Sequence, residues 1–112
     1  MSQLTTHILD TTIGKPAPNV AVVLYQQHGS DWNEIAAGNT NADGRIPNLL
    51  PSNLLLALGH YKLLFKTEAY FQQMGVATFY PYVEIVFNIQ SNSHYHVPLL
   101  LNPFGYSTYR GS

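Results

Sequence analysis

The 112 residues suit one domain, residues 1–112, large enough to bury roughly 65% of the surface its unfolded chain exposes. The absence of cysteine excludes disulfides, thiolate metal sites and a cysteine nucleophile. Charged residues are 10% of the chain, against about 25% in average soluble proteins, and the net charge of −1 offers nucleic acid no electrostatic footprint. So little charge coats a free surface poorly and points to burial in an oligomer. No apolar run reaches membrane-spanning length and no signal peptide precedes Leu4, so no membrane partner is expected. Neither a targeting sequence at the start nor a closing Ser-Lys-Leu is present. The expected location is the cytoplasm, or the periplasm if an export signal has been removed.

Apolar residues recur mostly at every second position, the signature of strands. Thr5 to Thr11 alternates and runs into Gly14-Lys15-Pro16-Ala17-Pro18, where two prolines predict an irregular loop. Val20 to Gln26 reads as a buried strand, ended by Gly29-Ser30-Asp31, and Trp32 to Ala37 as the next, closed by Gly38 and the polar stretch from Asn39 to Gly44. Between Pro47 and Gly59 a short strand and then a loop are expected. His60 to Lys66 alternates again, with Tyr61, Leu63 and Phe65 on one face. Thr67 is a candidate helix N-cap, Glu68 suits the positive end of the dipole and Gly75 the C-terminal stop. A helix of about two turns is too short to stand alone and must pack on a sheet. Val83 to Ile89 and His94 to Leu101 are further strands, and Tyr106 to Ser112 is the expected last one. Many short strands, regular turns and one helix predict an antiparallel β-sandwich.

Residues i and i+2 of a strand share a face, so His94 and His96 project together with Pro98 and Leu100. Tyr95, Val97, Leu99 and Leu101 form the opposite, core-facing row. The histidine row is therefore an outer face, or one buried against another subunit. His7 stands in the first strand, opposite Ile8 and Asp10. Three roles compete for these histidines: polar surface or interface groups, acid–base catalysts near neutral pH, or metal ligands, with His94 and His96 needing a partner such as His7. Arg45, after the Asp43-Gly44 turn, is either a solvated charge or a planar fork for a flat heterocycle bearing carbonyl oxygens. Arg110 is either a contact at a sheet edge or part of an ordered ending, Tyr109-Arg110-Gly111-Ser112. Ser112 stands in no Ser-His-Asp order and is no nucleophile by itself.

Taken together, His7-Ile8-Leu9-Asp10, Gly14-Lys15-Pro16-Ala17, Asp43-Gly44-Arg45, Phe79-Tyr80-Pro81 and His94-Tyr95-His96-Val97-Pro98-Leu99-Leu100-Leu101 resemble the transthyretin-related proteins. The closing Tyr106-Ser107-Thr108-Tyr109-Arg110-Gly111-Ser112 is similar to the ending of that family's enzymatic branch, the 5-hydroxyisourate hydrolases. The resemblance spans Thr6 to Ser112. It implies a transthyretin-like sandwich of two four-stranded sheets with one short helix. It also implies a homotetramer, a dimer of dimers, with active sites at the mouths of a central channel. The implied reaction is hydrolysis of 5-hydroxyisourate to 2-oxo-4-hydroxy-4-carboxy-5-ureidoimidazoline in urate breakdown, without cofactor or metal. Carried over residue by residue, His7, Arg45 and His96 match the catalytic set, and Tyr109, Arg110 and Ser112 join His7 and Arg45 in substrate binding. His94 matches an adjoining position with occasional metal contact, where zinc would be an adventitious occupant. The alternative from the same family is a carrier of a small hydrophobic ligand in the channel.

Overall fold

The computed structural model describes residues 2–112. Eight strands and one helix follow in the order β1 (Leu4–Asp10), β2 (Lys15–Pro16), β3 (Ala21–His28), β4 (Asp31–Asn39), β5 (Gly59–Lys66), α1 (Thr67–Gln73), β6 (Val83–Ile89), β7 (Tyr95–Asn102) and β8 (Gly105–Thr108). They make two four-stranded sheets, ordered β2-β1-β7-β8 and β4-β3-β5-β6. The predicted inward rows fill the space between them: Leu4 and Ile8 from β1, Tyr61, Leu63 and Phe65 from β5, and Tyr95, Val97, Leu99 and Leu101 from β7 are all buried. Tyr70 and Phe71 bring the helix onto the same core.

The sandwich is antiparallel except at one junction. β1 and β7 run parallel, in register from Leu4 beside Tyr95 to Asp10 beside Leu101. Alternation within each strand is the same for either direction, so it carries no information on this pairing. The loop expected around Pro16 contains the two-residue β2, which pairs with Leu9 and Asp10. Proline is tolerated there because β2 is the edge of its sheet.

No strand forms between Pro47 and Leu58. Pro47 and Pro51 remove donors a ladder would need, yet Leu49, Leu50 and Leu56 still enter the core. The buried side chain of Gln3 replaces the missing ladder: its Oε1 accepts the Leu56 N–H at 2.8 Å, and its Nε2 donates to the Ser91 and Ser93 carbonyls at 3.3 and 3.2 Å.

The helix begins one residue earlier than a Thr67 cap requires. Lys66 holds the cap position without a side-chain hydrogen bond, and the buried Thr67 hydroxyl has no partner among the described residues. The Pro81 carbonyl instead accepts the Glu68 N–H at 3.3 Å, so a neighbouring loop supplies what a capping hydroxyl would. Gly75 ends the helix at φ 68° as expected.

The last strand stops at Thr108 rather than reaching Ser112. The two-residue turn between Asn102 and Gly105 sets the alternation of bonded and non-bonded pairs, and that alternation makes Pro98 and Tyr109 the next bonded pair. Pro98 has no N–H to give, and its carbonyl takes the Thr108 hydroxyl at 2.7 Å instead. The chain rejoins the sheet only at Gly111, whose N–H donates to the His96 carbonyl at 2.8 Å.

Candidate active site

Register on the outer face of the β1–β7 pair assembles the site. Thr5 lies beside His96 and His7 beside Pro98, on the row opposite the buried Leu4, Thr6 and Ile8. Both histidines are half-buried. His94 precedes β7 and is exposed, its ring near parallel to that of His96 with centroids 6.4 Å apart.

Arg45 reaches this face from the far side of β1, bridged to His7. A tight turn aims it. Asn41 Oδ1 accepts the N–H groups of Asp43 and Arg45 at 2.8 and 3.1 Å, and the Asn41 carbonyl accepts the Gly44 N–H at 2.9 Å. Gly44 has φ 72°, and its carbonyl takes the Ile8 N–H at 2.9 Å. A Cβ at Gly44 would stand 2.5 Å from the Ile8 carbonyl oxygen, so the turn can lie this close to β1 only with glycine.

On the other flank Gly111 does the equivalent for His96. A Cβ there would meet His96 Cδ2 at 2.5 Å, so the chain passes edge-on to the imidazole only because it carries no side chain at that point. The next residue, Ser112, lines a cleft of about 420 Å³ with Thr5, Arg45, Ile46, His94 and His96. His96 Nδ1 is 2.7 Å from the Thr5 hydroxyl, and its Nε2 makes no hydrogen bond among the described residues.

The electrostatics favour the neutral form of both histidines. Burial, then the Arg45 charge, push His7 below the ordinary imidazole value, with a hydrogen bond to the Asp43 backbone opposing. His96 is lowered by burial first, then by Arg45, His94 and His7. Neutral imidazoles beside a permanently charged guanidinium can accept a proton from water while positive charge waits for a developing oxyanion.

The HIUase/Transthyretin family model matches residues 4–111. The chain belongs to this family. Among family members, the 5-hydroxyisourate hydrolase of Salmonella dublin is 49% identical over 110 residues, covering 97% of this chain and 80% of that protein. The structure of Klebsiella pneumoniae 5-hydroxyisourate hydrolase superposes with a TM-score of 0.84 at 40% identity, covering 97% of this chain and 92% of that one. Sea bream transthyretin in complex with thyroxine superposes with a TM-score of 0.91 at 35% identity, covering 98% and 95%. The HIUase/Transthyretin backbone thus accommodates both kinds of protein, so the backbone alone does not tell them apart.

Of the residues singled out from the sequence, His7, Arg45, His94, His96 and Ser112 meet on one face. Arg110 does not join them. Continuing the register of β8 past Thr108 puts it on the core-facing side, and its guanidinium lies 4.2 Å over the Tyr95 ring. It also donates to the His94 carbonyl and the Ser93 hydroxyl at 3.3 and 3.4 Å. Tyr109 and Arg110 line a second groove of about 340 Å³, between the edges β6 and β8. Thr5 and Asn41 carry no weight in the sequence reading. Asn41 had a signal, an Asx residue three positions before the turn glycine; Thr5 had none, because its role depends on which strand lies beside it.

Proposed function

We propose that the chain hydrolyses 5-hydroxyisourate to 2-oxo-4-hydroxy-4-carboxy-5-ureidoimidazoline, and that the cleft bounded by His96, Arg45 and Ser112 is where it does so. The observation that carries this reading is the convergence, on one outer face, of two histidines whose neutral form is favoured and the permanently charged Arg45. Opening a ring amide with water needs a base for the water's proton, a charge for the acyl oxygen as it becomes an oxyanion, and an acid for the departing nitrogen. His96 presents an unengaged Nε2, and His7 stands one register step away across the sheet. Arg45, beside His7, binds the ring oxygens and holds the oxyanion. Ser112 closes the cleft beside His96. Several curated relatives named as 5-hydroxyisourate hydrolases support the substrate.

The chemistry so described needs no metal, because the histidines supply proton transfer and Arg45 supplies charge. Activity that survives a strong chelator agrees with this; loss restored by zinc overturns it. A homotetramer fits the surface. β6 and β8 are sheet edges, and Val86, Phe104, Tyr106 and Tyr109 near them are exposed, with Val86 and Tyr109 both at 59%. Edge-to-edge pairing would bury these groups, and stacking the histidine-bearing faces would close the cleft. A carrier of apolar ligands fits less well, since the cleft presents His94, His96 and the charged Arg45 to whatever enters it.

The test generates 5-hydroxyisourate from urate with urate oxidase and follows its decay by absorbance. Added protein accelerates the decay, and the His96→Asn and Arg45→Ala variants do not. Decay at the spontaneous rate in the presence of folded protein overturns the reading.

A further inference from the structure

The Thr5 hydroxyl touches two imidazoles at once: His96 Nδ1 at 2.7 Å and His94 Nε2 at 3.0 Å. A hydroxyl has one proton to donate and lone pairs to accept with. The two ring nitrogens therefore cannot both be acceptors; when Thr5 donates to one, the other donates to Thr5. The chain His94–Thr5–His96 has a direction, and each direction fixes the tautomer of both rings. With Thr5 donating to His94, His96 carries its proton on Nδ1 and shows a bare Nε2. With Thr5 donating to His96, Nδ1 is the acceptor and Nε2 carries the proton. The first form is a base and the second an acid, at one atom.

We propose that Thr5 is a positioning residue that turns His96 Nε2 outward and relays a proton between His96 and the exposed His94, so that one histidine serves as base and then as acid. The proposal rests on the hydrolase reading above. As water attacks the acyl carbon, its O–H bond breaks and the proton binds His96 Nε2. The His96 Nδ1 proton passes to Thr5 Oγ1, and the Thr5 proton passes to His94 Nε2. The positive charge now rests on His94 and the negative charge on the acyl oxygen held by Arg45. When the intermediate collapses, the C–N bond breaks and the departing nitrogen takes the proton from His96 Nε2. The relay runs back: His94 returns a proton to Thr5, and Thr5 returns one to Nδ1. Hydroxide has gone to carbon, a proton to nitrogen, and all three side chains are as they began.

The geometry favours relay over simple packing in two ways. His96 is held on both sides, by Thr5 at Nδ1 and by Gly111 against Cδ2, which leaves Nε2 as its free polar atom. Thr5 is paired with His96 across the parallel β1–β7 ladder, so both ends of the short bond sit on regular strands.

Thr5→Val keeps the branched shape suited to a strand and removes the hydroxyl; Thr5→Ser keeps the hydroxyl and removes the methyl. The expected result is a kcat about 10²-fold lower in Thr5→Val with KM unchanged, and most of the rate restored in Thr5→Ser. The dependence of wild-type kcat on solvent deuterium fraction should be curved, as for several protons in flight, and become linear in Thr5→Val. An active wild type whose Thr5→Val variant keeps its rate overturns the relay alone, and so does a Thr5→Ser variant as slow as Thr5→Val. A linear wild-type dependence also overturns it. An inactive wild type removes the hydrolase reading and the relay together. Ring 15N spectra give a readout free of turnover: the relay requires His96 tautomer populations to shift in Thr5→Val, and unchanged populations overturn it.

Discussion

Two depressions flank the segment from Tyr109 to Ser112, and they are built differently. The cleft beside His96 lies on the outer face of a sheet and brings hydroxyls, imidazoles and the Arg45 side chain together against Ile46 and Pro47. The groove on the other side lies between the edges β6 and β8 and is lined by apolar side chains such as Ile85, Val86 and Val97 together with the neutral polar Asn88, Gln90 and Thr108, with Arg110 as its one charge. At the cleft, charge acts on titratable neighbours: burial first, and then Arg45, hold His96 and the adjoining His7 below the ordinary imidazole value. In the groove, the guanidinium sits over an aromatic ring, 4.2 Å from its centre, away from the histidines. Two arginines in one chain thus end in opposite roles, and the feature that separates them is which side of a sheet each one faces.

The sharpest way to test this contrast is to remove the cleft's chemistry. His96→Asn and Arg45→Ala should each lower kcat by roughly 10²–10⁴-fold with a melting temperature near that of the parent. Turnover and thermal melts on the same samples separate the two effects, and a variant at the parental rate would remove its residue from the mechanism. Gly111→Ala comes next. A methyl group there pushes His96 from its place, and a displacement of about 1 Å can cost about 10²-fold in rate. A rate unchanged in Gly111→Ala would show that His96 has room to move.

The groove should respond to assembly rather than to substrate. Val86→Lys puts a charge on the exposed part of β6 and should shift the proposed tetramer toward smaller species in sedimentation. A tetramer that persists would take that edge out of the interface. Arg110→Ala should matter less, losing about 0.5–1 kcal/mol of stacking on Tyr95 and lowering the melting temperature by a few degrees. If it lowered kcat as far as Arg45→Ala does, the two depressions would act as one site.

Smallest is the pH response of stability. Both histidines are shifted below the ordinary value of 6.5 in the folded protein. The unfolded chain therefore binds more protons in the interval below 6.5, and stability falls as pH drops through it. The histidine part of that loss is complete once pH lies below the folded values. Denaturant melts between pH 7 and pH 5 should show it, and Arg45→Ala, by removing a shared cause of both shifts, should shrink it.

Much of the fold could be read directly from the sequence. Period-two alternation identified the buried rows of β1, β5 and β7 and, with them, the outward row carrying His7 and His96. The turn Asp43-Gly44 marked Arg45, and Gly75 marked the end of the helix. Pro98 held the information that ends β8 at Thr108, but its meaning depended on which residue lay opposite. The Thr67 hydroxyl was miscast as a cap because nothing local shows that the Pro81 carbonyl takes that place. The resemblance to a family named the residues of the site but not the contacts, such as Thr5 with His96, that hold them.

What the sequence determined by itself is which residues turn inward, because alternation, turn chemistry and the cost of burying polar groups act between near neighbours in the chain. What only the tertiary structure decided is which outward residues share a surface. The parallel pairing of β1 with β7 sets Thr5 beside His96, the turn at Gly44 brings Arg45 to His7, and the missing N–H of Pro98 lets the chain part from the sheet before Gly111 returns to it. Those contacts join residues up to 91 positions apart, as at Thr5 and His96. No local pattern can specify such a contact, because its free energy exists only once both strands are in place.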